Sequence, residues 1–104
     1  MSLQEDIYYN SKGLVALYGE FSGKLQKYVN EMNSNMAELS SIVRELGTYW
    51  TDESYQSYKK GMNDGIRKTE DEVQSVADLK KVIDKRKADT EVALEKMRIK
   101  FGLK

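Results

Sequence analysis

From Ile7 to Leu46 the apolar residues return every seven positions. One register holds Ile7, Leu14, Phe21, Tyr28 and Ile42, with Asn35 as its polar member. A second holds Tyr18, Leu25, Met32, Leu39 and Leu46, with Ser11 polar. The two registers interleave at spacings of three and four, which puts both on one side of a helix and makes a coiled-coil-like seam. Leu17, Val29, Met36 and Val43 widen the stripe. A helix with a single neighbour has no need of that width, whereas a helix with two neighbours does.

The rhythm stops at Gly47. Leu46-Gly47 reads as a helix end with Gly in the left-handed cap position, and Arg44 falls in the last turn, where the helix dipole favours a cation. Thr48-Tyr49-Trp50 follows. Thr51 or Asp52 is then a good N-cap, with Asp52 and Glu53 placing acid in a first helical turn. A second rhythm runs through Tyr58, Met62, Ile66, Thr69, Val73, Val76, Leu79, Val82 and Ile83. It thins over Asp84-Lys85-Arg86-Lys87-Ala88-Asp89, a stretch that reads as solvated helix because it holds no Gly or Pro. It resumes at Val92, Leu94, Met97 and Phe101. The pattern therefore predicts one all-α domain, an antiparallel two-helix hairpin. Its first helix spans about 4–46, its turn about 47–51 and its second helix about 52–98. A loop this short forces neighbouring helices to pack antiparallel.

Composition supports the helices and narrows the chemistry. The chain has 104 residues and no proline, so nothing of that kind interrupts a long helix. Lys plus Arg and Asp plus Glu number 17 each. That balance lacks the basic excess with which nucleic-acid binders neutralise phosphates. Cysteine and histidine are both absent, which removes thiolate metal sites, the commonest metal ligand and the commonest general base. Glu70-Asp71-Glu72 is the densest acidic cluster, but consecutive helical residues point about 100° apart and do not converge. The expectation is no enzyme, no cofactor and no metal. No apolar run approaches the roughly 18 residues that span a bilayer, and no signal-peptide pattern opens the chain.

A few local features stand apart from this pattern. Gly19 and Gly23 are four apart, as are Gly61 and Gly65. Each pair reads either as a site of close helix approach or as mere tolerance on an exposed face. Asn63-Asp64-Gly65 is turn chemistry in isolation, but it interrupts a good apolar rhythm and reads as helix with a weak point. The basic and apolar segment from Lys96 to Lys104 reads as a frayed terminus, or as a contact with an anionic membrane or an acidic groove. Trp50 is the only tryptophan. It reads as a plug closing the hairpin or as an aromatic anchor offered to a partner, and a partly buried ring would serve both.

Trp50 in a central turn, with Tyr58 eight residues on and Leu46-Gly47-Thr48-Tyr49 before it, resembles the Trp-x-Gly (WXG-motif) family. These are small proteins, similar to the early secreted antigenic target, that are exported by type VII secretion systems. The resemblance covers the whole chain, with Asp52 standing where the family has Gly. It implies a hairpin that pairs into an antiparallel four-helix bundle and is secreted by a signal-peptide-independent route, or is cytoplasmic before export. The turn motif would be Trp50, Asp52 and Tyr58. Family members or their partners often carry a Tyr-x-x-x-Asp/Glu export signal after the second helix. No Tyr follows Tyr58 here, and Tyr49 with Glu53 fits the spacing only within the turn.

The width of the first helix's stripe argues for a dimer independently of the resemblance, because one hairpin would leave apolar surface wet. The expected interface is Leu14, Tyr18, Phe21, Leu25, Tyr28, Met32, Met36 and Leu39. The expected partner is a second copy or a similar hairpin protein, with a type VII secretion ATPase as a further partner. The alternatives are a non-secreted adaptor or chaperone-like hairpin, and a membrane-active protein that uses the basic C-terminal end.

Overall fold

The computed structural model describes residues 2–103. They form two α-helices and no strand: α1 (Leu3–Tyr49) and α2 (Ser54–Phe101), joined by residues 50–53. The fold is an all-α helical hairpin.

Each helix end has a local cause. The Ser2 hydroxyl accepts the Glu5 amide at 3.1 Å, and Glu5 and Asp6 lie in the first turn of α1. One orphan donor is thereby satisfied, and negative charge sits at the positive end of the dipole. At the far end of α2, Gly102 takes φ +68°. Its amide donates to Ile99 O at 3.3 Å, and the Leu103 amide reaches back to Arg98 O at 2.9 Å. This pair of bonds is a Schellman cap, which Gly adopts without the steric cost of a Cβ. Arg98 and Lys100 occupy the last turn. The segment read as a frayed terminus is therefore helical through Phe101 and closed by a defined cap.

The end of α1 differs from the sequence expectation. Gly47 does not cap the helix: its φ is not positive, and α1 continues to Tyr49, with the Trp50 amide donating to Leu46 O at 2.8 Å. Arg44 consequently lies outside the last turn, which holds no basic residue. The turn is residues 50–53, and Asp52 serves as the N-cap of α2, accepting the Ser54 amide at 2.9 Å. The Asn63-Asp64-Gly65 stretch is helical, as its surrounding rhythm implied.

The chain divides into two compact units. The central unit comprises Lys27–Ala77. Met36 and Val43 of α1 and Tyr55 and Val73 of α2 are buried there, Val43 to 2% exposure. Val29, Met32, Leu46, Met62, Ile66, Thr69 and Val76 are half-buried around them. The terminal unit joins the residues before Lys27 to those after Ala77. In it Tyr8 and Ser22 are buried, with Val15, Tyr18, Leu25, Ile83, Leu94, Met97 and Phe101 half-buried.

Inside each unit, burial corrects the expected seam of α1. The inward series is Tyr8, Val15 and Ser22 in the terminal unit and Val29, Met36 and Val43 in the central unit. It alternates with Ser11, Tyr18, Leu25, Met32 and Leu46. The Ile7, Leu14, Phe21, Tyr28 and Ile42 register, expected in the seam, is exposed. The residues expected beside the seam are the seam itself, apart from Leu17, which is exposed. On α2 the inward positions include Lys80, Lys87 and Thr90, whereas Tyr58, Leu79, Val82 and Val92 face out. Among the described residues five apolar side chains are buried and fifteen large ones are exposed. Burial of a valine-sized side chain contributes about 1.5–3 kcal/mol, and the fifteen exposed side chains go without most of that contribution.

Candidate functional site

The turn motif comes together as a clasp. Asp52 Oδ1 accepts the Trp50 indole N–H at 2.9 Å, the Ser54 amide at 2.9 Å and the Ser54 hydroxyl. The Ser54 hydroxyl and then the Trp50 indole hold the Asp52 carboxyl below the ordinary carboxylate range. The half-buried Trp50 ring lies 5.3 Å from Tyr58 and 5.7 Å from Tyr55, centroid to centroid and tilted, within the range of favourable aromatic pairs. Trp50, Asp52 and Tyr58 thus form one cluster, with the Asp52 carboxylate tying the indole to the N-terminus of α2.

Behind the clasp sits a joint that the sequence did not reveal. The Tyr55 hydroxyl donates to Val43 O at 2.7 Å across the hairpin, and Tyr55 is buried. A Cβ at position 47 would stand 2.5 Å from the Tyr55 hydroxyl oxygen and 2.8 Å from Cζ. Gly47 is where it is because the Tyr55 ring crosses α1 at that point. The freest aromatic near the turn is Tyr49, 81% exposed, beside Ile42, Glu45 and Leu46.

In the terminal unit a polar layer replaces an apolar one. The buried Ser22 hydroxyl donates to Asp84 Oδ1, and Lys80 Nζ donates to Asp84 Oδ2 at 2.6 Å. Lys80 first and Ser22 second hold the Asp84 carboxyl below its usual range, against the opposing effect of burial. Gly19 leaves room for Lys87, whose Cε would lie 3.6 Å from a Cβ there. The charged stretch read as wholly solvated therefore turns Asp84 and Lys87 inward. Its Lys85–Asp89 pair, 3.0 Å apart, stays on the surface.

The expected dimer interface splits in two. Tyr18, Leu25, Met32 and Met36 are turned inward, Met36 fully. Leu14, Phe21, Tyr28 and Leu39 are exposed, Phe21 at 47%. In the terminal unit Leu3, Ile7, Leu14, Leu17 and Phe21 share one outer face of α1 by their spacing; in the central unit Tyr28, Leu39, Ile42 and Tyr49 share another such face. The pattern missed Leu3, Leu17 and Tyr49 as surface apolar residues.

Beside the outer face of the central unit runs an apolar groove of about 370 Å³. Met32, Asn35, Met36 and Leu39 form its α1 wall, and Gly61, Met62, Gly65, Ile66 and Thr69 form its α2 wall. A Cβ at Gly61 or Gly65 would meet nothing within 4 Å, so the missing side chains open the groove rather than bring α1 and α2 closer. Among the described residues no group of three acidic, His or Cys side chains is placed to hold a metal ion, and no helix is long and apolar enough to cross a membrane. No protein-family model, curated protein or solved structure matches the chain.

Proposed function

We propose that this chain is a protein-binding helical hairpin that works as a dimer, in the manner of type VII secretion substrates or their co-secreted partners. The observation that carries the reading is the outer face of α1. Ile7, Leu14, Leu17 and Phe21 in one unit, and Tyr28, Leu39, Ile42 and Tyr49 in the other, are large, apolar and exposed. Exposed apolar faces of this kind mark interaction sites, and a second hairpin is the simplest cover for a helix with two apolar faces.

Charge favours an antiparallel second copy. In a parallel pairing Lys24 faces Lys24 and Glu31 faces Glu31. An antiparallel pairing centred near Tyr28 instead sets Lys24 against Glu31 twice. Their present partners, Glu20 and Lys27, are exposed and 3.9 Å away, so both are cheaply rearranged.

The export part of the reading rests on the resemblance at the turn. Support comes from Asp52, whose carboxylate caps α2 and accepts the indole, giving a physical reason why Asp serves where the family has Gly. Its test is export: the protein should reach the medium of a bacterium that encodes it, and should stop doing so when the type VII ATPase is deleted. Unchanged export without that ATPase, or retention in its presence, refutes this part.

A further inference from the structure

We infer that the groove over Gly61 and Gly65 is the seat for Phe21 of a second copy of this chain. The inference rests on the dimer reading above and names the contact that sets its register.

The exposed seven-residue register of α1 has one polar member, Asn35. At that level there is no apolar knob. There is a groove instead, lined by Met32, Met36 and Leu39 on α1 and by Gly61, Met62 and Gly65 on α2. An antiparallel pairing centred near Tyr28, the arrangement that matches Lys24 with Glu31, brings the partner's residue 21 to the level of Asn35. Residue 21 is Phe, the largest side chain of the outer face in its unit, exposed beside Leu17, Glu20 and Lys24. A shift of one turn either way still lands the ring between Met32 and Leu39, so knob and hole tolerate small changes in crossing geometry. A groove of about 370 Å³ has room for a benzyl group. Methionine walls adapt to an aromatic ring and make favourable sulfur–ring contacts. The two-fold places two such contacts, one on each side of a Tyr28–Tyr28 centre. The absence of side chains at Gly61 and Gly65, otherwise unfavourable in mid-helix, then has a purpose.

The chain has no cysteine, so introduced thiols report the register directly. Mixing Phe21→Cys with Asn35→Cys under mild oxidation, above the dimer dissociation constant, should give a disulfide-linked heterodimer. Phe21→Cys alone should not cross-link, because its two copies would lie about 14 residues or roughly 21 Å apart. Gly65→Leu should fill the hole and weaken dimerisation at least about tenfold, with helicity unchanged. Gly23→Leu, also in open space but on the opposite side of α1 from Phe21, should leave dimerisation intact. A dimer in which the mixed pair fails to cross-link, or in which Gly65→Leu binds as tightly as the parent, overturns the seat and leaves the dimer reading standing. A protein that is monomeric at every concentration overturns both.

Discussion

Replacing Gly47 with Ala should destabilise the hairpin, against the usual effect of that change in a helix. Gly47 lies inside α1 with ordinary helical φ. By propensity alone Ala should therefore add about 0.5–1 kcal/mol of stability. The added Cβ, however, would stand 2.5 Å from the Tyr55 hydroxyl oxygen, 2.8 Å from Cζ and 3.1 Å from Cε1. Tyr55 cannot yield as a surface side chain would, because its ring is rigid, 7% exposed, and pinned by its bond to Val43 O. Moving it gives up a buried hydrogen bond, at about 1–3 kcal/mol, or forces an overpacked joint, at about 1–3 kcal/mol. The net expectation is a loss of about 1 kcal/mol, read by urea unfolding followed by circular dichroism. Gly13→Ala and Gly23→Ala, both in open space, should instead stabilise. Tyr55→Phe should relieve part of the penalty when combined with Gly47→Ala, because the closest clashing atom is then gone. If Gly47→Ala stabilises as much as the two controls, the crossing of Tyr55 over α1 is wrong.

The two faces of α1 should separate by mutation: Leu14→Asp or Phe21→Asp should leave helicity near that of the parent while reducing self-association, whereas Leu25→Asp or Met32→Asp should lower helicity as well; equal loss of helicity in both sets would contradict the assignment of faces. Asp52 and Asp84 are held below the usual value of 3.8 in the folded chain, so the stability they contribute is complete above that value and is lost as pH falls through the lower folded value. The melting temperature should therefore drop as pH falls from neutral through and below the usual value of 3.8, and by less in Asp52→Asn; identical acid limbs would refute the linkage. Tyr58→Ala should remove an aromatic pair worth about 0.5–1.5 kcal/mol and shift the emission of Trp50, the sole tryptophan, to longer wavelength; an unshifted spectrum would mean that Tyr58 does not shield the ring.

The hairpin itself was legible in the sequence. Two seven-residue rhythms without a proline, parted by Trp50 and a capping Asp52, admit little else. What the rhythm does not encode is which of two adjoining stripes on α1 turns inward. The register with Ile7, Leu14, Phe21 and Ile42 is the larger and more apolar, and on hydrophobicity alone it belongs inside. The inward choice follows from α2, which presents Lys80, Asp84, Lys87 and Thr90 over its second half. Ser22 and Gly19 can meet such groups, whereas Phe21 and Leu14 cannot. Gly47 was misread for a related reason. A glycine near a helix end fits a left-handed cap and a close aromatic crossing equally well, and only the position of Tyr55, eight residues on, separates them. Of the turn cluster, Trp50, Asp52 and Tyr58 were grouped by the family resemblance, whereas the indole bond to Asp52 depends on turn geometry that no periodicity carries.

The central claim, that the outer face of α1 is covered by a second copy, is tested most directly by the solution mass. Light scattering on the purified protein should give about twice its 12.0 kDa, falling toward the monomer value on dilution or on Phe21→Asp substitution. A folded species of 12.0 kDa that does not change with concentration would contradict it.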